Sequence, residues 1–376
     1  MAKKKEENVK PGKIDIKSMK KFVNKSAGIN IAWDLNEDTP TEVHEWIPTG
    51  SRWLDSIICR GKLAGIPVGK VTEIAGLSSA GKSYMAVQIA AKAQALGHVV
   101  VYFDAESALD SSFLLQAGVD PSEGFLYVQA VSVEKTLEAI EDLMKEYPET
   151  QFLFIWDSIA ATSSEKDLEG DFNPQSSMAV KPRIFAKAFP KLTIPLANNQ
   201  CTLLLINQLK TNITSNIAEA MTTPYIAPGG KALEYFSSLR IWLTKRKARA
   251  SFVTDDTGLR VGSEVKVKIE KSRFGSEGRT CGFKIMWGDE VRIQDEESLM
   301  EAIRLSGTDK LKTGAWNTLT DSKGKEYRFR KAEWASLMTS DDGFRKAVYD
   351  IMDEEVIRKF DSEGKNFGIE DDSESR

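Results

Sequence analysis

The chain has 376 residues, of which 41% are hydrophobic, and a formal net charge of −4 at pH 7. This length allows one large domain and a smaller one, and the charge excludes a chain that is basic overall, so any nucleic-acid binding must depend on a local basic surface. The three cysteines and two histidines lack metal-ligand spacing, which argues against a zinc site and favours a reducing, cytoplasmic environment, and the apolar runs are too short to span a bilayer.

A lysine-rich segment, residues 1–47, forms the start of the chain. Residues 1–26 contain nine lysines and three acidic residues. Apolar residues recur first at helical spacing and then with a period of two: Ile16, Met19 and Val23, followed by Ile29, Ile31 and Trp33. The pattern predicts a short amphipathic helix followed by one strand. Neither element can bury its apolar side alone, so the segment either packs on another subunit as an oligomerisation arm or folds back on its own core.

Residues 48–295 alternate between apolar strand candidates and helical stretches. The strand candidates are Val71–Ile74, Val99–Phe103, Leu126–Val128, Phe152–Trp156, Cys201–Ile206, Arg240–Thr244, Val265–Lys271 and Gly282–Trp287. The helical stretches include Lys82–Leu96, Val133–Glu146 and Ala179–Leu196. This alternation predicts an α/β fold with a mostly parallel central sheet covered by helices on both faces.

Two further regions follow this core. Residues 296–360 are expected to form a small α+β domain. Residues 361–376 carry six acidic and two basic residues and predict a disordered acidic tail. Such a tail either shields a basic surface as an internal phosphate mimic or simply keeps the chain solvated.

The segment Gly76–Ser83 fits the pattern G-x-x-x-x-G-K-S/T of a phosphate-binding P-loop. It follows a predicted strand and opens a predicted helix, so backbone N–H groups and the helix N-terminus can bind phosphate oxygens. Lys82 is expected to reach the β- and γ-phosphates, and Ser83 to bind Mg²⁺ through its hydroxyl. The residues expected to contact the nucleotide are Gly76, Ser78, Ser79, Ala80, Gly81, Lys82, Ser83 and Tyr84.

Two carboxylates follow predicted strands near this loop. Asp157 ends the strand Phe152–Trp156 and is placed to orient the metal ion. Glu106 follows the strand that ends at Phe103 and can polarise the water that attacks the γ-phosphorus. An ATPase needs that water and a nucleotide kinase does not, so Glu106 favours an ATPase. The alternative is that Glu106 is an acidic residue at a helix N-terminus.

Taken in order, these motifs resemble the RecA recombinase family over residues 47–355. The segments that carry the resemblance are Thr49–Ser83, Tyr102–Asp110, Asp157-Ser158, Leu205–Gln208, Gly229–Leu233 with Tyr235-Phe236, and Gly314–Trp316. Val267–Arg273 and the lysine-rich arm look more like the UvsX-type phage recombinases. The resemblance implies a RecA-type P-loop ATPase core that uses ATP and Mg²⁺.

The resemblance also implies roles for residues outside the P-loop. Phe113 would stack on adenine and Asp110 would contact the base, although Phe113 could equally pack within its helix. Gln208 would sense the γ-phosphate at the start of a long loop. Lys271 and Arg273 would reach the ATP of a neighbouring subunit, unless they form a solvated strand end; Arg279, close by, could confuse this assignment.

Two loops, Ser163–Ser177 and Leu209–Gly230, are expected to bind DNA. The residues expected to contact phosphates are Lys166, Lys181, Arg183, Lys210, Gly229, Gly230 and Lys231. Apolar residues of the second loop could wedge between bases or pack on their own loop, and the candidates are Ile217, Met221 and Ile226.

The sequence therefore predicts a phage-encoded, ATP-dependent recombination protein that acts in the bacterial cytoplasm. It would form a homo-oligomeric helical filament on single-stranded DNA and exchange strands with homologous duplex DNA, aided by single-strand-binding and loader proteins. A RecA-core ring helicase or other DNA-dependent motor is the main alternative, and a nucleotide-binding regulatory module is another. A ring helicase would carry a large N-terminal partner domain and no RecA-type C-terminal region.

Overall fold

A computed structural model describes residues 15–28, 31–34, 39, 42–169, 180–214, 216, 223–244, 251–287 and 291–357. The chain divides into two compact units, Met1–His44 and Glu45–Arg376. Among the described residues, no helix combines the length and the apolar character needed to cross a membrane. The acidic segment 361–376 lies outside the described residues.

The first unit contains one amphipathic helix, α1 (Ile16–Ala27). The Asp15 carboxylate caps it by accepting from Lys17 N at 3.1 Å, and Gly28 ends it with φ +70°. Its apolar residues are exposed, and Phe22 is 73% accessible. The amide of Asn24 binds the backbone of residues 31 and 32. The helix was predicted correctly, but the predicted strand is wrong for residues 31–34, which form no strand, and Asn24 binds the N–H groups of Ile31 and Ala32 instead.

A ten-stranded sheet forms the centre of the second unit. Its strands are β3 (Val71–Gly76), β4 (Val99–Asp104), β5 (Phe125–Gln129), β6 (Phe152–Asp157), β7 (Thr202–Gln208), β10 (Leu239–Thr244), β11 (Phe252–Thr254), β12 (Arg260–Ser272), β13 (Thr280–Trp287) and β14 (Val291–Gln294). The order is β14-β13-β12-β10-β3-β7-β6-β4-β5, and β11 pairs with β12. The six strands from β10 to β5 are parallel, whereas β11 to β14 pair antiparallel.

The parallel strands β3, β4, β6, β7 and β10 are largely buried because helices cover both faces of the sheet, whereas the edge strand β5 is partly exposed. The helices of this part are α2 (Arg52–Ile58), α3 (Lys82–Ala95), α4 (Ser111–Gln116), α5 (Val133–Glu146), α6 (Glu165–Glu169), α7 (Val180–Asn198) and α8 (Lys231–Phe236). Strand alternation sends Leu204 to the face that packs on α3, and Leu203 to the face that packs on α5 and α7. Complete burial of a side chain such as Phe154 contributes about 1.5–3 kcal/mol.

Two pairs of short β-strands and a C-terminal region complete the second unit. The short strands β1 (Trp46–Ile47) and β2 (Ile66–Pro67) pair with each other, as do β8 (Lys210–Thr211) and β9 (Tyr225–Ile226). The C-terminal elements are α9 (Glu296–Ser306), β15 (Leu311–Lys312), β16 (Asn317–Thr320), β17 (Glu326–Phe329), a 3₁₀ turn (Lys331–Glu333), α10 (Trp334–Ser340), α11 (Asp342–Ile351) and a π-helix (Met352–Ile357). The strands β15 to β17 form an antiparallel sheet whose core contains Phe329, Trp334 and Phe344.

The α/β fold class is confirmed, and the strands and helices predicted within residues 48–295 all lie in or overlap observed elements. The ribbon of β8 and β9 was not predicted. It pairs Lys210 with Ile226 and Thr211 with Tyr225, so the two ends of the long polar loop run side by side. Four residues are too few to give a periodic signal in the sequence.

Candidate nucleotide and DNA sites

A cavity of about 460 Å³ lies at the carboxyl edge of the parallel strands. It is lined by Ser78, Ser79, Ala80, Gly81, Lys82, Ser83, Tyr84, Glu106, Asp157, Gln208, Arg260, Ser263, Val265, Ile285 and Trp287. The structure thus brings together residues from four separate predicted motifs. The carboxyl ends of neighbouring parallel strands are the usual position of ligand sites in α/β proteins.

The P-loop joins β3 to α3 through a tight turn. Gly81 has φ +87°, and a Cβ placed there would lie 2.1 Å from Ile285 Cδ1. A side chain at Gly76 would lie 2.9 Å from the carbonyl oxygen of Leu243. The backbone contact requires glycine at position 76, and the positive φ favours glycine at position 81, where the near neighbour is the flexible end of the Ile285 side chain. The loop leads into the N-terminus of the fourteen-residue helix α3, whose partial positive charge favours phosphate.

Ser83 and Asp157 form a hydrogen-bonded pair beside this loop. The Asp157 carboxylate is buried and also accepts from the Tyr102 hydroxyl at 2.8 Å. Burial raises the pKa of Asp157, against the hydrogen bonds from Ser83 and Tyr102. A hydroxyl and a carboxylate are oxygen donors that fit Mg²⁺ when phosphate oxygens and water complete its shell. Within the described residues no three His, Cys, Asp or Glu side chains cluster as a metal site.

Glu106 lies in the loop after β4, and no helix begins there, so the alternative of a helix N-terminal acid is wrong. Asp104 builds this loop by accepting from the N–H groups of Glu106, Ala108 and Leu109. The Ser158 hydroxyl donates to Glu106 Oε1 at 3.1 Å. The exposed Glu106 carboxylate therefore borders the cavity with one oxygen oriented and the other available to accept a proton.

Gln208 ends β7 and lines the same cavity. The next residue, Leu209, donates its N–H to the carbonyl oxygen of Gly76 at 2.9 Å. The first residues of the second predicted DNA loop are thus hydrogen-bonded to the start of the P-loop.

Aromatic side chains form one wall of the cavity. Tyr84 contacts Phe113 edge-on at 4.8 Å and Trp287 at 6.1 Å between ring centroids. The Arg260 guanidinium lies 4.9 Å from the Trp287 ring and 3.9 Å from the Phe252 ring. Phe113 therefore adjoins the cavity through Tyr84 rather than lining it. This wall offers flat apolar faces to a purine and a cation to the rest of a nucleotide.

Asp110 is exposed and caps α4. Its Oδ1 accepts from Ser112 N at 2.8 Å and Phe113 N at 3.0 Å. The hydrogen bond from the Ser112 hydroxyl, and next those from the backbone, hold the pKa of the Asp110 carboxyl below its ordinary value. In the described geometry Asp110 is occupied as a helix cap and does not line the cavity.

Sequence reasoning missed the wall from β12 and β13. Its residues are Arg260, Ser263, Val265, Ile285 and Trp287. These residues lie far beyond the P-loop in the chain, and only the pairing of β12 with β13 and β10 brings them to it. Val265, Ile285 and Trp287 lie in predicted strands, but nothing in the sequence connects those strands with the P-loop.

Lys271 and Arg273 do not line the cavity of their own chain. Both donate to backbone carbonyls at the end of α8: Lys271 Nζ to Glu234 and Tyr235, and Arg273 Nη2 to Tyr235 at 2.8 Å. Partial burial, and next the nearby Arg273, lower the pKa of Lys271. Within its own chain the pair therefore braces the end of α8. Arg279 instead donates to the carbonyl oxygen of Ile57.

A second cavity, of about 340 Å³, lies at the base of the two predicted DNA loops. It is lined by Ile159, Ala160, Asp167, Val180, Lys181, Pro182, Phe185, Asn207, Lys210, Pro228 and Gly229. The structure thus places Lys181 beside Lys210, with the carboxylate of Asp167 on the same cavity. Burial lowers the pKa of Lys181, whose ammonium donates to the carbonyl oxygen of Ala160 at 3.1 Å.

The other predicted DNA contacts lie around this cavity. Lys166, Arg183, Gly230 and Lys231 are exposed and do not line it. Ile226 is 46% accessible, whereas Ile217 and Met221 lie outside the described residues. Residues 163–169 of the first loop include the short helix α6, and residues 170–177 are likewise outside the described part.

Comparison with known proteins identifies the family. The model of the RecA N-terminal domain matches residues 14–292. Protein RecA of Chloroherpeton thalassium is 30% identical over 354 residues, which cover 94% of this chain and 91% of that protein. Protein RecA of Frankia casuarinae is 33% identical over 296 residues, or 79% and 80% of the two chains. Protein RecA of Mannheimia haemolytica is 33% identical over 259 residues, or 69% of this chain and 66% of its own length. The chain therefore belongs to the RecA family, whose members are recombinases with DNA-dependent ATPase activity.

Proposed function

We propose that this protein assembles as a helical filament on single-stranded DNA, with ATP between adjacent subunits, and exchanges strands with homologous duplex DNA. The observation that carries the proposal is the route of the chain at the end of β7. Gln208 lines the nucleotide cavity, and Lys210, two residues later, lines the cavity at the base of the DNA loops. The residue proposed to sense the γ-phosphate is therefore two positions away from a cation proposed to contact DNA.

In the proposed hydrolysis of ATP, each group of residues that lines the nucleotide cavity has a separate role. Lys82 and the α3 N-terminus would bind phosphate oxygens, and Ser83 and Asp157 would hold Mg²⁺, which would supply charge neutralisation. Glu106 accepts a proton from the attacking water while Ser158 keeps the carboxylate oriented. The Tyr84 and Trp287 rings hold the purine. Gln208 senses the terminal phosphate.

Lys271 and Arg273 are proposed to complete the nucleotide site of the adjacent subunit. Their position supports this role because both are hydrogen-bonded to the last carbonyls of α8, and α8 begins directly after Gly230. Moving these cations onto a neighbour's phosphate would release α8 and so alter the return end of the second DNA loop. ATP hydrolysis should then require assembly.

The DNA side is proposed to bind phosphates with repeated cations. Lys181 and Lys210 from the cavity, with the exposed Lys166, Arg183 and Lys231 around it, would form one basic site per subunit. The backbone N–H groups near Gly229 and Gly230 add neutral donors. Contacts of this kind read no sequence, so the recognition of homology comes from base pairing with the second DNA.

Several finer features stay proposals. The protein is proposed to be of the UvsX type, encoded by a phage and active in the cytoplasm of the host. Single-strand-binding and loader proteins are proposed as its partners. The proposed domains are residues 1–47, 48–295, 296–360 and 361–376. The exposed apolar residues of α1 support the assignment of residues 1–47 as an oligomerisation arm, because Ile16, Met19 and Phe22 are each more than half accessible.

Electron microscopy of the protein with single-stranded DNA and a non-hydrolysable ATP analogue tests the proposal. Helical filaments that require both ligands are the expected result. Closed rings would instead support a ring helicase and overturn the recombinase.

A further inference from the structure

Asn207, one residue before the phosphate sensor Gln208, is hydrogen-bonded through both polar atoms of its side chain. It is fully buried. Its Nδ2 donates to Glu73 Oε1 and to the carbonyl oxygen of Pro228, each at 2.7 Å. Its Oδ1 accepts from the N–H of Gln208 at 2.9 Å. The amide therefore ties the beginning of the second DNA loop to its end, 21 residues further along the chain.

Strand alternation places these two neighbours on opposite faces of the sheet. Gln208 lines the nucleotide cavity, whereas Asn207 lines the cavity that also contains Lys181, Lys210 and Gly229. A change in the backbone at Gln208 thus reaches the DNA side through a single side chain.

A buried ion pair fixes the orientation of the Asn207 amide. Glu73 in β3 is fully buried, and its other carboxylate oxygen, Oε2, accepts from Arg240 Nε in β10. A carboxylate can only accept, so the amide must present its NH₂ group to Glu73 and its oxygen to Gln208. Because Glu73 is held by Arg240, the second N–H of Asn207 is directed at the Pro228 carbonyl and cannot flip away.

We propose that Asn207 is a positioning residue that couples the nucleotide state at Gln208 to the conformation of the second DNA loop at Pro228, with Glu73 and Arg240 as its brace. This inference rests on the proposed function. It assigns to the buried network a role in allosteric coupling that a purely structural hydrogen-bond cluster would not have.

An exchange of the two side-chain types separates coupling from stability. In the double variant Glu73→Gln/Asn207→Asp, the new amide at position 73 can donate to the new carboxylate at position 207 and still accept from Arg240, so the brace and its net charge are kept. The new carboxylate can accept from Gln208 N but cannot donate to the Pro228 carbonyl. The variant therefore removes the tether, and repulsion between the new carboxylate oxygen and the Pro228 carbonyl oxygen also keeps the tether from re-forming.

The measurement is the ratio of the Kd values for a single-stranded oligonucleotide with saturating ADP and with a saturating non-hydrolysable ATP analogue. We expect a ratio in the wild type within the roughly 5–150-fold range of allosteric coupling, and a ratio within about twofold of one in the double variant. Thermal unfolding should show that the double variant keeps most of its stability.

Hydrogen exchange provides a second readout that does not depend on the double variant. In the wild type, exchange of residues 223–231 should differ between ADP and the ATP analogue, and Asn207→Ala should abolish this difference. Protection of residues 152–157 in the same samples reports that the core is folded. Nucleotide-dependent exchange that persists in folded Asn207→Ala would overturn the proposal.

The ratios of the wild type and of the double variant distinguish failure of the proposed function from failure of the role of Asn207. A wild-type ratio of one would overturn the proposed function and the role of Asn207 together. A wild-type ratio above about fivefold that the double variant retains would overturn the role of Asn207 alone.

Discussion

Glu106→Gln offers a sharp test of the catalytic assignment because the structure predicts a change in chemistry without a change in shape. The Ser158 hydroxyl donates to Glu106 Oε1, and a glutamine keeps a carbonyl oxygen in that place. The side chain is exposed, so loss of its charge leaves no buried group unpaired, and stability should change by less than about 0.5 kcal/mol. What is lost is the oxygen that accepts the proton of the attacking water.

General-base catalysis contributes typically about 10²–10⁴-fold, which corresponds to about 2.7–5.4 kcal/mol at 1.36 kcal/mol per tenfold change. The assay is DNA-stimulated phosphate release, with ATP-analogue affinity measured on the same samples. We expect the rate to fall by that factor while the affinity stays within about threefold of wild type. Lys82→Ala should lose the hydrolysis as well, together with affinity. Equal loss of affinity in both variants would refute the role of Glu106.

Four further substitutions have effects that follow from the structure. Gly81→Ala should weaken nucleotide binding at least about tenfold, because its Cβ meets Ile285 and its positive φ adds about 1–3 kcal/mol of strain. Lys181→Gln and Lys210→Gln should each weaken binding of single-stranded DNA and reduce the slope of log K against log salt by about 0.7. Asp55→Asn should flatten the dependence of unfolding free energy on pH between about 4 and 8, because burial raises the pKa of Asp55 to about 8. The folded state holds a proton there that the unfolded chain releases, so wild-type stability falls as pH rises through this window.

Each of these changes has a matched control. Gly97 has φ +91° and open space at its Cβ, so Gly97→Ala adds strain without weakening nucleotide binding. Lys145→Gln, at an exposed ion pair on α5, should leave the salt slope unchanged. Asp120 is exposed and its pKa is lowered by Ser122, so Asp120→Asn should not flatten the pH profile. Normal nucleotide affinity in Gly81→Ala would contradict the role of that glycine. An unchanged salt slope in both lysine variants would contradict their contacts with DNA phosphates. An unchanged pH dependence of stability in Asp55→Asn would contradict the raised pKa of Asp55.

Most of the fold could be predicted because its signals are local. The strand Phe152–Trp156 is a continuous apolar run that ends in a carboxylate, and the P-loop spacing is specific enough to position β3 and α3. The motif residues Lys82, Asp157 and Gln208 were therefore assigned to one site from the sequence, and the structure brings them to one cavity.

The features that could not be predicted depend on contacts between distant parts of the chain or on the hydrogen bonds of a single side chain. Arg260 and Trp287 reach the nucleotide cavity only through antiparallel pairing, and no local pattern connects them with the P-loop. The period-two pattern that ends at Trp33 predicted a strand, but Asn24 binds the backbone of residues 31 and 32. The hydrogen bonds of Asn207 depend on Glu73, 134 positions earlier in the chain, and could not be read from the sequence.

A nucleotide bound at the interface between adjacent subunits is proposed to set the affinity of the protein for DNA. The most direct test is the ATP hydrolysis rate per protomer, measured over a range of protein concentrations with and without single-stranded DNA. The account predicts a rate that is low without DNA, is stimulated by it, and rises cooperatively with concentration. A full rate at concentrations where the protein is monomeric, equal with and without DNA, would contradict it.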